Sequence, residues 1–209
     1  MRNRGQGAKD ATLRGDLSVD FVGGALGHRL RFGGGRGQAL PRALGLSNGN
    51  TPGIVDATAG LGRDAFLLAS LGVHVTLVER SAEVHALLRD AQDRARAAGP
   101  PWDEIVGRMA LLHGDARDLL PGLAPEVVLV DPMHPPRKGS ALVKNEMRLL
   151  RSLVGADPDA LDLMEVALAC ATRRVVLKWP LRGEPLPGLR KPSHQILGKT
   201  TRYDVFMIT

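Results

Sequence analysis

Two acid-bearing segments of this chain are the residues best placed to do chemistry. The first, Val55-Asp56-Ala57-Thr58-Ala59-Gly60-Leu61-Gly62-Arg63-Asp64, reads as a short apolar strand running into a glycine turn and a helix start. The second, Asp131-Pro132-Met133-His134-Pro135-Pro136, closes an apolar strand with an acid and prolines. Gly60 and Gly62 permit a sharp turn and close approach of a ligand, and the helix after them offers unpaired N–H groups. Glu79 ends the next apolar run nineteen positions after Gly60, where nucleotide-binding α/β folds place a carboxylate on the two ribose hydroxyls. Gly60-Leu61-Gly62-Arg63-Asp64-Ala65 formally satisfies the dinucleotide fingerprint, so the spacing alone admits NAD. Asp56 and Asp64 tip the balance, because carboxylates repel a pyrophosphate but suit the cationic methionyl end of S-adenosylmethionine.

Asp115 follows the apolar run 109 to 113 and is the candidate acceptor for an adenine amino group, although Gly114-Asp115 is also ordinary turn chemistry. Asp131-Pro132 falls at a strand end beside the expected topological switch point, where α/β folds bind ligands. An acid or amide followed by proline suits an exocyclic amine of a nucleobase. The lone pair of such an amine is delocalised into the ring, so attack on a methyl group needs its N–H groups oriented by acceptors. The Asp131 side chain and the Pro132 carbonyl are the candidate acceptors, with in-line placement supplying much of the rate. No metal is required. Arg137, Lys138, Lys144, Arg148 and Lys178 would rim that mouth and hold phosphates without reading sequence. The run Gly33 to Gly37 offers a backbone nest for phosphate, or simply a flexible linker.

The elements that must position these residues follow a βαβ pattern from Ile54 onward. Strands are expected at 54–57, 73–79, 109–113, 126–130 and 174–179, and helices at 63–71, 82–98, 140–154 and 158–171, with Ser140 and Asp157 as caps. Two further strand-like runs, Gln195 to Leu197 and Tyr203 to Ile208, have no helix between them and predict a hairpin. Five βα strands closed by such a hairpin form the α/β, class I (Rossmann-like) methyltransferase arrangement, mostly parallel with an antiparallel C-terminal hairpin. Residues 1–53 differ in composition, with two glycine clusters and a short helical pattern from Ala39 to Leu46, and are read as an N-terminal extension to a methyltransferase domain at 54–209.

With 209 residues, 44% of them hydrophobic, the chain can bury a substantial core, built from Leu, Val and Ala because aromatics are only 3%. The formal charge of +6 suits a polyanion such as RNA, but an arginine-rich composition bias would give the same balance. The low aromatic content argues against a base-stacking platform. Cys170 is the sole cysteine, which excludes an internal disulfide and a cysteine metal cluster, and the six histidines lack helical zinc spacing. No apolar run approaches a membrane span and the N-terminus has no signal-like core, so a cytoplasmic protein is expected.

Several runs carry a more specific resemblance: Val19-Asp20-Phe21, His28-Arg29, Arg31-Phe32-Gly33-Gly34-Gly35-Arg36-Gly37-Gln38-Ala39-Leu40, Val55 to Phe66, Leu77-Val78-Glu79-Arg80, Asp131-Pro132-Met133, Ser140 to Lys144, Glu146-Met147-Arg148 and Ser152 to Gly155. Over roughly residues 17–209 the chain closely resembles the bacterial small-subunit ribosomal RNA guanine-N2 methyltransferases of the RsmJ family. The resemblance implies S-adenosylmethionine-dependent methylation of guanine 1516 in 16S rRNA, naked or in the small subunit. It implies cofactor contacts at Arg63, Asp64, Glu79, Arg80, Asp115, Ala116 and Asp131. His134 stands where relatives more often place an aromatic able to stack on the target base, and relatives usually carry more chain before Val19. Against this stand an amine methyltransferase of the same fold with another nucleic acid or protein substrate, and a non-catalytic RNA-binding or ribosome-assembly protein.

Overall fold

The computed structural model describes residues 17–23, 35–46, 49–133, 150 and 158–209. Seven strands, β1 (Ile54–Asp56), β2 (Val75–Glu79), β3 (Met109–His113), β4 (Val127–Val130), β5 (Arg174–Pro180), β6 (His194–Leu197) and β7 (Thr201–Met207), form one sheet. Their order is β3-β2-β1-β4-β5-β7-β6. The first five are parallel, and β7 runs antiparallel to both β5 and β6. This is the class I methyltransferase order, with the hairpin where the two helix-free runs predict it. Strands β1 and β4 are buried at every position, as their uninterrupted apolar letters require for central strands covered on both faces. Because β2 lies on one side of β1 and β4 on the other, the chain's winding reverses between β1 and β4, and a crevice opens at their carboxyl ends. Asp56 ends β1, Glu79 ends β2 and Asp131 follows β4, so the fold itself gathers three of the predicted acids.

The helices are α1 (Ala39–Ala43), α2 (Arg63–Ser70), α3 (Ala82–Ala97), α4 (Trp102–Val106), α5 (Ala116–Leu123) and α6 (Ala160–Cys170). Ser81 caps α3 by accepting a hydrogen bond from the Val84 N–H, and the buried positions Val84, Leu88, Ala91, Gln92 and Ala95 trace one face of the helix. Two helices escaped the sequence pattern. One is the short α4. The other is α5, whose Pro121-Gly122 pair reads as a breaker; it forms because Asp115 caps it and Ala116 and Leu120 bury one side. Helix α6 starts at Ala160, two residues later than expected, with Asp159 at the cap position. The expected cap Asp157, its counterpart Ser140 and most of the expected helix 140–154 lie outside the described residues.

The core lies in two layers, one on each face of the sheet. One is built from α2, α3 and α4 with β1, β2 and β7, and the other from α5 and α6 with β4 and β5. Leu17, Val19, Phe21, Leu40, Leu44 and Leu46 belong to the first of these, and Phe21 stacks on Phe66 with ring centroids 4.7 Å apart. The described part of the segment before residue 53 thus shares the core of the sheet. Arg36 donates to the carbonyls of Asn50 and Leu71, so this arginine of the glycine run ties the segment down. Cys170 is half-buried against the second layer.

Candidate active site

A cavity of about 380 Å³ opens at the carboxyl ends of the parallel strands. On its β2 side Glu79 is buried, and both carboxylate oxygens accept backbone hydrogens: Oε2 from the Gly60 N–H at 2.9 Å and Oε1 from the Ser81 N–H at 2.8 Å. The glycine loop is therefore pinned to the end of β2. Each carboxylate oxygen carries a second lone pair, which leaves Glu79 able to accept from a ligand as well. Gly60 lies in the left-handed region, φ +52, as the tight turn demands.

Beside Glu79 stands a network of two arginines and two acids. Asp115 accepts from the Arg117 backbone N–H at 2.9 Å and from Nη2 at 2.7 Å. The hydrogen bond from Arg117 holds the Asp115 carboxyl below its usual range and raises the guanidinium correspondingly. Asp159, from the start of α6, accepts from Arg80 at 3.0 Å and lies 3.1 Å from Arg117. All four line the cavity.

The opposite side is crowded with acids. Asp56, 2% exposed, accepts a hydrogen bond from the Thr58 N–H at 3.1 Å. Burial first, and then the nearby Asp64, push its carboxyl up to about 7. The Thr58 hydroxyl accepts from the Asp131 N–H at 2.6 Å, so one threonine ties the end of β1 to the end of β4. Lys178 on β5 inserts between two acids: its Nζ donates to Asp64 Oδ2 at 2.5 Å and to Asp131 Oδ2 at 2.8 Å. Burial works against the ammonium, but the pull of Asp64 and Asp131 together outweighs it and raises its pKa, so Lys178 is a fixed cation.

Of the residues singled out by sequence, Asp56, Gly60, Arg63, Asp64, Glu79, Arg80, Asp115, Ala116, Asp131 and Pro132 all line the cavity. Gly62 does not. It caps α2 at φ +67 with its α-carbon turned to the core, where a Cβ would stand 2.8 Å from Leu88 Cδ2 and 3.2 Å from Phe21. Its place is in the packing of α2 against α3 and the segment around Phe21, away from the cavity. Lys178 corrects the expected phosphate rim, because its ammonium is spent on Asp64 and Asp131 inside the cavity. His134, Arg137, Lys138, Lys144, Arg148, Gly33 and Gly34 lie outside the described residues. Thr58, Arg117 and Asp159 were not anticipated as site residues. Thr58 sits within the glycine motif, but nothing local to Asp159 marks it, since its partner Arg80 is 79 positions away.

The donor set fits S-adenosylmethionine on chemical grounds. Asp56, Asp64 and Asp131 surround one lysine, an excess of negative charge that welcomes a sulfonium and an α-ammonium and repels a pyrophosphate. Among the described residues no group of three or more His, Cys, Asp or Glu is arranged to hold a metal ion, and no helix is long and apolar enough to cross a membrane. The sequence family described as "Putative SAM-dependent methyltransferase" matches residues 6–208. The ribosomal RNA small subunit methyltransferase J of Agrobacterium fabrum is 70% identical over 91% of this chain and 91% of its own length. The protein of the same name from Brucella anthropi is 67% identical over 92% of this chain and 94% of its own length. A SAM-dependent methyltransferase from Neisseria gonorrhoeae, known from its crystal structure, superposes with a TM-score of 0.72 at 37% identity, covering 91% of this chain and 74% of that one. An acid-lined crevice on a class I sheet and these matches along nearly the whole chain lead to one conclusion: the chain belongs to the ribosomal RNA small subunit methyltransferase J family of SAM-dependent methyltransferases.

Proposed function

We propose that the protein methylates the exocyclic N2 of guanine 1516 in 16S rRNA, in the cytoplasm, acting on the naked RNA or on the small ribosomal subunit. The observation that carries the reading is Asp131-Pro132 at the end of β4, opening onto the carboxylate-lined cavity. The choice of ribosomal RNA rests on the names of relatives that share most of this sequence.

When bound, S-adenosylmethionine supplies an electrophilic methyl group: the N–C bond forms as the C–S bond breaks, its electron pair going to sulfur. Glu79 holds the ribose hydroxyls, and Asp115 with Ala116 faces the adenine. Asp56, Asp64 and Arg63 flank the methionyl end. Asp131 accepts an N–H from the guanine amine together with the Pro132 carbonyl, which turns the nitrogen lone pair toward the methyl group. The Asp131 carboxylate also stands where the methylated nitrogen sheds its proton. Positioning and fixed charge supply the acceleration.

Mass mapping of 16S rRNA from cells with and without this gene tests the reading. A guanine 1516 that carries its N2 methyl only when the gene is present is the expected result, and an unchanged guanine 1516 overturns it. Methylation lost at another amine would point to a different substrate, and cofactor binding without transfer to any RNA would point to an assembly role.

A further inference from the structure

The Lys178 ammonium is hydrogen-bonded to two acids of the cluster of Asp56, Asp64 and Asp131, and its contact to Asp131 is direct. We propose that Lys178 is the positioning residue for Asp131: by holding Oδ2 it sets the plane of the carboxylate and balances its charge, so that Asp131 presents an ionised, oriented acceptor to the amine. This rests on the methyl-transfer reading above and deepens it.

Three observations carry the inference. First, the carboxylate is fixed from two directions by groups distant in sequence, Thr58 through the backbone at 2.6 Å and Lys178 through Oδ2 at 2.8 Å. A carboxylate free to rotate would lose the alignment on which an acceptor depends, and misplacement by about 1 Å can cost on the order of 10²-fold in rate. Second, the surroundings are hostile to a further negative charge. Asp56 from β1 and Asp64 from α2 lie close enough to Asp131 and to each other to repel, and Glu79 adds a further acid to the cavity wall. Asp56 already holds its proton up to about pH 7; without the cation Asp131 would be pushed in the same direction, and a protonated Asp131 is a poor acceptor. Third, Lys178 is itself no base, because the two acids hold its proton firmly. Its contribution is geometry and charge.

The inference separates from a role in cofactor binding by the sign of the effect. S-adenosylmethionine is a net cation, so removing a lysine from its site does not weaken its electrostatic attraction. The test uses the full-length protein with S-adenosylmethionine and 16S rRNA or isolated small subunits. Cofactor Kd, kcat and KM are measured from pH 5.5 to 9 for the wild type, Lys178→Met and Lys178→Arg. For Lys178→Met, kcat is expected to fall by about 10²-fold with KM for RNA within about twofold. Cofactor Kd should be no weaker, and the acid limb of the kcat profile should move up by about one pH unit. Lys178→Arg, which keeps the charge, is expected to recover most of the lost turnover and to return the limb toward its wild-type position. If Lys178→Met does not fold, Lys178→Gln, which keeps a donor and drops the charge, carries the same expectations. A neutral variant whose pH profile superposes on that of the wild type overturns the inference, as does a loss of turnover matched by an equal loss of cofactor affinity. A wild-type protein that transfers no methyl group would instead defeat the underlying reading.

Discussion

The two sides of the cavity hold their acids in different ways. On the β2 side each carboxylate is satisfied before any ligand enters: Glu79 by two backbone N–H groups, Asp115 by Arg117, and Asp159 by Arg80 and Arg117. On the β4 side Asp56, Asp64 and Asp131 crowd around one lysine, and Asp56 is buried deeply enough that its carboxyl is pushed up to about 7. A rigid, neutralised wall suits recognition of a nucleoside, which needs fixed acceptors and brings no charge. A wall with excess negative charge suits the cationic end of the cofactor and the amine that becomes cationic as it attacks. The contrast divides binding from chemistry within one crevice.

Asp131→Ala attacks the chemical side directly and should have the largest effect. Turnover is expected to drop by about 10²- to 10³-fold, read as kcat at saturating cofactor and RNA; wild-type turnover would remove Asp131 from the mechanism. Glu79→Ala attacks the recognition side. It should weaken cofactor binding by about 10- to 100-fold, since it removes the ribose acceptor and strips Gly60 and Ser81 of theirs, while kcat at saturation stays within a few-fold. Calorimetry against kinetics separates the two, and a kcat loss as large as that of Asp131→Ala would erase the division between the walls.

Asp56 sharpens the comparison through pH. Its carboxyl lies near 3.8 when unperturbed and at about 7 in the folded protein. Between those values the folded state retains a proton that the unfolded chain has released, so this group's contribution to stability falls as pH rises through the window and is lost above about 7. Asp56→Asn keeps an acceptor for Thr58 and removes the titration. It should raise stability by about 2 kcal/mol at pH 8 and by much less at pH 4, compared by denaturant unfolding. Equal effects at both pH values would show that burial and the neighbouring acids do not raise the Asp56 carboxyl. Smallest of all should be Asp159→Asn, because Arg80 is partly exposed and such pairs contribute about 1 kcal/mol or less. A modest loss of cofactor affinity is expected, and a loss above tenfold would mean that the arginine network is itself part of the adenosine site.

The recognition side was largely legible in the sequence, because its signals are local or evenly spaced. Glu79 ends the strand after a glycine turn, and Asp115 follows the next strand, so the letter pattern of each βα unit places them at the same edge of the sheet. Gly62 shows the limit of that reading: its letter matches a ligand loop, while its α-carbon faces Leu88 and Phe21. Helix α5 is masked by Pro121, and the sequence marks Asp115 as a candidate adenine acceptor or a turn residue but not as the helix cap it also is. Asp159 reaches the cavity from α6 and has no marker in its own neighbourhood.

By itself the sequence determined the alternation of strands and helices, the closing hairpin and the acids at the strand ends. Periodicity and turn chemistry are properties of a few adjacent residues. Which charges meet across the sheet was decided only by the tertiary structure. Lys178 lies 114 positions from Asp64 and 47 from Asp131, and only the placement of β5 next to β4 turns an apparent surface lysine into the cation between two acids.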